Sequence, residues 1–445
     1  MTRREFLALG AAAVALSRGP AFAATSDLRV IARDAYLYVL PLLEMAAARA
    51  KITSMGAAQN VLYARGNLAD ASSRSVTTPN NDTLYSSAWI DLTAGPAIFT
   101  LPDFGRRYFS LSLMDMYSNN FAVLGTRTTG HAAGKFKIVG PSDAIAHTER
   151  NLVRSPTPHV WALARVLVDG PHDLVAARAA QGGVTLTAPK VDAPGHPEAI
   201  AAVTKDATWP GIFAAANRLL SEDPPPATDR AMLLRIQAFG VGPDTSFRSD
   251  TFSEADQEAI AAGVADAQAL VINAHDHSSA VQGWIYPPTT LGVFGQDYIT
   301  RAIVARTGLA ALPRDEAMYM RPAGENGDGL YDGNKTWRIY FAPGQLPPAT
   351  GFWSLSMYER TIDGRQFFAE NPLKRYAIGD RTPGLKTNAD GSLDIWISSH
   401  DPGAERQANW LPAPTGPFTM ILRAYLPARA LLNGDYRLPP VVPAA

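Results

Sequence analysis

The chain contains no cysteine. That absence removes disulfides, thiolate metal sites, iron–sulfur clusters and a cysteine nucleophile together, so any metal would need His or carboxylate ligands. An excess of charge is missing too: 40 Lys and Arg stand against 41 Asp and Glu, a net charge of −1, with no long basic or acidic run. This balance argues against nucleic acid or an anionic membrane surface as partner. No apolar run reaches the ~20 residues that a membrane span needs, so no stable span is expected. What the chain has in quantity is punctuation, 35 Gly and 34 Pro, as many short strands and turns require.

The first residues read Thr2-Arg3-Arg4-Glu5-Phe6-Leu7, then an apolar run to Leu16, then Ala21-Phe22-Ala23. A charged start, a short apolar stretch and an A-x-A site in that order make a cleavable export signal. The paired arginines make it a twin-arginine signal, so the expected location is periplasmic or secreted, with the mature chain starting near Ala24. The roughly 420 residues that follow exceed what one core serves, which implies two domains or more.

The chain is organised around Gly351-Phe352-Trp353-Ser354-Leu355-Ser356-Met357-Tyr358-Glu359, because Tyr108-Phe109-Ser110-Leu111-Ser112-Leu113-Met114-Asp115 is a near copy 244 residues earlier. Each copy alternates apolar residues with serines, as a strand with one face on a core does, and each ends in an acid. Short alternating segments with Gly, Pro and Asn turns surround the first copy from Leu84 to Leu186, and the second from Met318 to Leu426. Between them the pattern is helical, most clearly after Ser253, a hydroxyl N-cap followed by Glu254 and Asp256. An earlier helix is expected over 27–50, kinked or broken at Pro41. The fold class is therefore mainly β with a helical connector, comprising two sandwich or jelly-roll-like domains. Expected bounds are a signal at 1–23, a helical segment at 24–74, sandwiches at 75–192 and 316–435, the connector at 193–315 and a loose tail at 436–445. A hairpin is expected at Asp390-Gly391, between Gly384 to Thr387 and Leu393 to Ile397.

The segment Thr78-Pro79-Asn80-Asn81-Asp82-Thr83-Leu84-Tyr85, with Tyr108 to Asp115, resembles the bacterial domain of unknown function 1254. The second half resembles that domain's usual companion, the domain of unknown function 1214, through Gly351 to Tyr358, Asn371-Pro372-Leu373, Ile378 to Leu385 and Asn409 to Pro414. The resemblance implies two β-sandwich domains joined by helices. It implies no activity.

Candidate chemistry is drawn from the residues. Asp115 and Glu359 fall on the parity of the apolar residues; a charge there must be paired or shift its pKa, unless each strand ends early and the acid caps a turn. Asn80, Asn81, Asp82, Thr83 and Tyr85 form the densest polar cluster, able to bind hydroxyls or to close an Asx-type turn. The leading expectation is a hydrolase acting on a carbohydrate or related polyhydroxylated envelope compound. Asp82, Asp115 and Glu359 would be its acid/base groups, and Asn80, Asn81, Tyr85, Tyr358 and Trp353 would hold substrate. Two other readings stay open: a non-catalytic periplasmic module that binds a small ligand or self-assembles, and a metal-dependent enzyme using His275 and His277. Asn326 to Asn334 resembles a calcium loop superficially, but Leu330 stands at the fifth ligand position and no Glu closes it. The sequence specifies no cofactor.

Overall fold

The computed structural model describes residues 25–74, 77–145, 149–192, 196–274, 279–362 and 364–444. The expected export signal and the pair His275 and His277 lie outside these residues. The chain begins with helix α1 (Thr25–Ser54), which runs through Pro41 without ending. Nearly every side chain from Ala35 to Ala50 is buried, so packing on all sides holds a helix that Pro41 alone would disfavour.

The first sandwich is built from β1 (Tyr63–Arg65), β2 (Thr83–Asp91), β3 (Ala97–Leu101), β4 (Phe109–Met114), β5 (Asn120–Gly125), β6 (Gly134–Val139), β7 (Leu152–Arg154), β8 (His159–Leu167) and β9 (Thr185–Thr187), with α2 (Leu174–Gly182) before β9. One sheet has the order β1-β2-β8-β4-β5 and the other β7-β6-β3-β9. Their core holds the odd members of the first repeat, Phe109, Leu111 and Leu113, against Phe99, Phe136 and Ile138. Each such side chain stabilises by about 1.5–3 kcal/mol through burial.

Helices α3 (Pro197–Ala202), α4 (Trp209–Glu222), α5 (Arg230–Gln237), α6 (Glu254–Ile272) and α7 (Tyr298–Thr307) follow. The Ser253 hydroxyl accepts from the Asp256 N–H and caps α6 where the sequence places a helix start. These helices share one core with α1 and with Trp89, Met114 and Leu163 at one end of the first sandwich.

The second sandwich contains β10 (Trp284–Ile285), β11 (Ala317–Pro322), β12 (Tyr331–Asp332), β13 (Thr336–Phe341), β14 (Ala349–Arg360), β15 (Gln366–Phe367), β16 (Ala377–Gly379), β17 (Leu393–Ser398), β18 (Trp410–Pro412), β19 (Pro417–Pro427), the short helix α8 (Arg429–Asn433) and β20 (Val441–Ala444). One sheet runs β10-β11-β19-β14-β15, with β12 on β19 and β16 on β14; the other runs β18-β17-β13-β20. Trp353, Leu355 and Met357 of the second repeat enter the core between them, against Trp337, Ile339 and Ile395.

Two local expectations differ. The tail is not loose: β20 pairs with β13 and completes an edge. The turn at Asn388 to Gly391 forms, with the Asn388 N–H donating to the Ser392 carbonyl, but residues 384–387 are not a strand and β17 pairs with β13 and β18 instead. The repeat strands place their odd side chains in the two cores and turn their serine faces toward each other. The sheets that carry them are the junction sheets.

A candidate ligand site at the junction of the two sandwiches

Strand register extends the repeat sideways across each junction sheet. Tyr85 on β2, Arg165 on β8, Ser110 on β4 and Gly125 on β5 stand in one row. Tyr319 on β11, Arg423 on β19, Ser354 on β14 and Gly379 on β16 form the equivalent row. Glycine is required at both ends for the same reason: a Cβ would lie 2.5 Å from the Phe109 carbonyl oxygen at Gly125, and 2.1 Å from that of Trp353 at Gly379. In both rows the arginine donates to the serine two residues further along, Arg165 to Ser112 at 3.1 Å and Arg423 to Ser356 at 2.8 Å.

Both arginines are 4% exposed. Their other bonds go to neutral carbonyls, Arg165 to Ala310 and Arg423 to Thr78. Arg321 lies on the same face of β11 as Tyr319, and none of the three arginines has a carboxylate within ion-pair distance among the described residues. Burial, and then the like charge of Arg423, lower the Arg321 pKa from its ordinary value. Burial raises the phenols of Tyr319, Tyr358 and Tyr425, so at neutral pH they remain uncharged, and of the carboxylates Asp82 acts on Arg423 from beyond ion-pair distance. Tyr85, Tyr319 and Arg321 are only half-buried; Tyr85 stands beside the exposed Arg65 of edge strand β1, and Arg321 beside Ile285 of edge strand β10. The Arg165 guanidinium lies 5.4 Å from the Tyr85 ring centre, as a cation over a π face does.

Beside this patch the domains are clasped. Asp82 is 6% exposed; one oxygen accepts from Ser354 Oγ at 2.6 Å and the other from Arg381 Nη2 at 2.8 Å. Arg381 also lies over the Phe352 ring at 4.1 Å and donates to the Val168 carbonyl. Asn80 accepts from the Asp82 N–H, closing an Asx turn, and donates to Tyr425 Oη at 2.6 Å. The Tyr358 hydroxyl donates to the Pro79 carbonyl, and Asn81 donates to the Ala69 carbonyl. The polar cluster before β2 is thus both a turn and part of the contact between the two sandwiches. On the other side Tyr108 donates to Glu316, which also pairs with Arg127.

The remaining candidates lie elsewhere. Asp115 follows a bulge at the end of β4 and accepts from the N–H groups of Tyr117 and Asn119, so it caps a turn; burial pushes its pKa up to about 6 against those bonds and Arg301. Glu359 pairs with Arg74 at 2.7 Å in a partly exposed position. Trp353 is in the second core, on the face away from the junction. The three acids do not flank a common point. Thr83 and Met114 oppose positions six residues apart along β8, and Asp82 and Asp115 lie one residue further out at opposite ends, so the two acids are separated by roughly 25 Å. Glu359 is five residues along β14 from the serine that holds Asp82, or roughly 17 Å. Paired carboxylates that hydrolyse a glycosidic bond stand about 5 to 9.5 Å apart.

Sequence reasoning did not single out Arg165, Arg321, Arg423, Tyr319 or Arg381. A usable signal was present for two of them, since Arg165 and Arg423 interrupt otherwise apolar strands. In the loop that resembles a calcium site, Asp328 and Asp332 accept from the N–H groups of Leu330 and Asn334, and so serve their own turns. Among the described residues no three His, Asp or Glu side chains gather as a metal site would need.

Residues 59–188 match the family model described as Protein of unknown function (DUF1254), and residues 316–429 that described as Protein of unknown function (DUF1214). The crystal structure of the VPA0106 protein from Vibrio parahaemolyticus is similar at a TM-score of 0.70 with 23% identity, over 94% of this chain and 100% of that one. An uncharacterised protein from Burkholderia cenocepacia gives a TM-score of 0.43 with 14% identity, over 92% and 86%. No curated protein matches. The Vibrio likeness is one of fold, and the two family matches fall on the two repeat-bearing halves. The chain therefore carries a DUF1254 domain followed by a DUF1214 domain.

Proposed function

We propose that this chain is an exported, non-catalytic binding protein that holds a small molecule between its two sandwich domains. The observation that carries the reading is the pair of facing Tyr–Arg–Ser–Gly rows, with Tyr85, Tyr319 and Arg321 keeping partial solvent access beside the buried Arg165 and Arg423. Phenols and guanidiniums that converge between two domains supply flat faces and directed donors, as small-ligand sites do. Hydrolysis by Asp82, Asp115 and Glu359 is not favoured by their separation or by their partners.

The test is thermal unfolding of the mature protein against a panel of envelope sugars, sugar acids and small organic acids, with Tyr85→Ala as the control. A ligand at one hundred times its Kd stabilises by about 2.7 kcal/mol. A ligand-dependent rise that Tyr85→Ala abolishes supports the reading. Turnover of any panel member that both Asp115→Asn and Glu359→Gln abolish would overturn it in favour of the hydrolase.

A further inference from the structure

Resting on that reading, we infer that the ligand of the junction is a small organic carboxylate and that Arg321 takes its charge. Three guanidiniums, those of Arg165, Arg321 and Arg423, lie on the facing sheets without an ion-paired carboxylate among the described residues. Asp82, the acid that acts on Arg423, is already engaged by Arg381. Buried positive charge without a counter-ion is costly and is retained where a ligand supplies the missing charge.

The three arginines divide the work. Arg165 and Arg423 are tied to Ser112 and Ser356 and to backbone carbonyls, which fixes their planes and spends part of their donors. The Arg321 side chain forms no hydrogen bond or ion pair among the described residues and is half-buried, so its fork is free to meet an incoming group. A planar carboxylate matches that fork with two parallel N–H···O bonds. Tyr319, two residues before Arg321 on the same face, and Tyr85 across the junction offer partly buried rings to the body of the ligand. The inward-lowered pKa of Arg321, caused by burial and by Arg423, is relieved when an anion binds.

The experiment is isothermal titration of the mature protein with matched pairs: glucuronate against glucose, benzoate against benzamide, and succinate against succinamide, with inorganic phosphate as a further arm. The inference predicts that at least one acid binds while its neutral partner does not, and that added salt weakens the binding. Arg321→Gln should weaken it tenfold or more, and Arg321→Lys, which keeps the charge but not the fork, should weaken it less. Circular dichroism and the urea midpoint check that both variants are folded. Equal binding of a neutral partner, unaffected by Arg321→Gln but lost in Tyr85→Ala, overturns the inference and leaves the junction reading standing. Binding of phosphate alone overturns the carboxylate assignment. No binding by any probe overturns both.

Discussion

Removing Arg381 should cost far more than losing a surface ion pair. Its partner Asp82 is 6% exposed, and without Arg381 the carboxylate keeps only the Ser354 hydroxyl as a partner. Breaking one side of a buried pair costs about 3–5 kcal/mol, because the remaining charge stays desolvated. Arg381 is itself 17% exposed in its side chain, so water reaches the vacated space and the lower end, about 3 kcal/mol, is expected for Arg381→Met. Asp82→Asn leaves Arg381 beside Asp380, at 3.6 Å, and should cost less, about 1–2 kcal/mol. The double variant removes both charges and should fall short of the sum by about 1.5 kcal/mol or more. The assay is urea unfolding at pH 7 of all four proteins, followed by tryptophan fluorescence. Because the pair joins the two sandwiches, Arg381→Met should also split the transition, as two domains that no longer support each other do. Costs that add within ~0.5 kcal/mol, or a cost below ~1 kcal/mol for Arg381→Met, would refute the clasp.

Further outcomes follow from the same geometry. Asp115 has its folded pKa raised to about 6 from an ordinary 3.8, so the folded state binds more protons between these values. Stability should fall as pH rises through that window, by at most about 3 kcal/mol, and Asp115→Asn, whose oxygen can still accept from Tyr117 and Asn119, should flatten the urea-midpoint profile from pH 4 to 7. Gly125→Ala and Gly379→Ala each drive a methyl into a neighbouring strand's backbone and should cost about 1–3 kcal/mol or more; midpoints unchanged in both would contradict the equivalence of the rows. If the chain is exported as proposed, mass spectrometry of the periplasmic protein should find it starting near Ala24, and replacing Arg3 and Arg4 by Lys should leave it unprocessed inside the cell.

The sandwiches were legible because alternation is a local signal: the serine and apolar parities of both repeats are those of the structure, and the odd residues fill the two cores. Helix α1 overrode the local penalty of Pro41 because its packing partners come from α3 to α7, more than a hundred residues away. β20 escaped notice because a four-residue edge strand takes its definition from β13. The site was less legible for the same reason. Asp82 reads as a candidate acid until Ser354 and Arg381, 272 and 299 residues distant, are brought to it. The rows through Arg165 and Arg423 depend on strand register, and no motif spacing encodes which strands will lie side by side.

The most direct test of the central claim is a crystal structure of the mature protein soaked with glucuronate, benzoate and succinate. The account predicts density between the junction sheets, with a carboxylate in a two-pronged contact with Arg321 and its body against Tyr85 and Tyr319. A junction in which those three side chains close on one another, with the acids excluded, would contradict it.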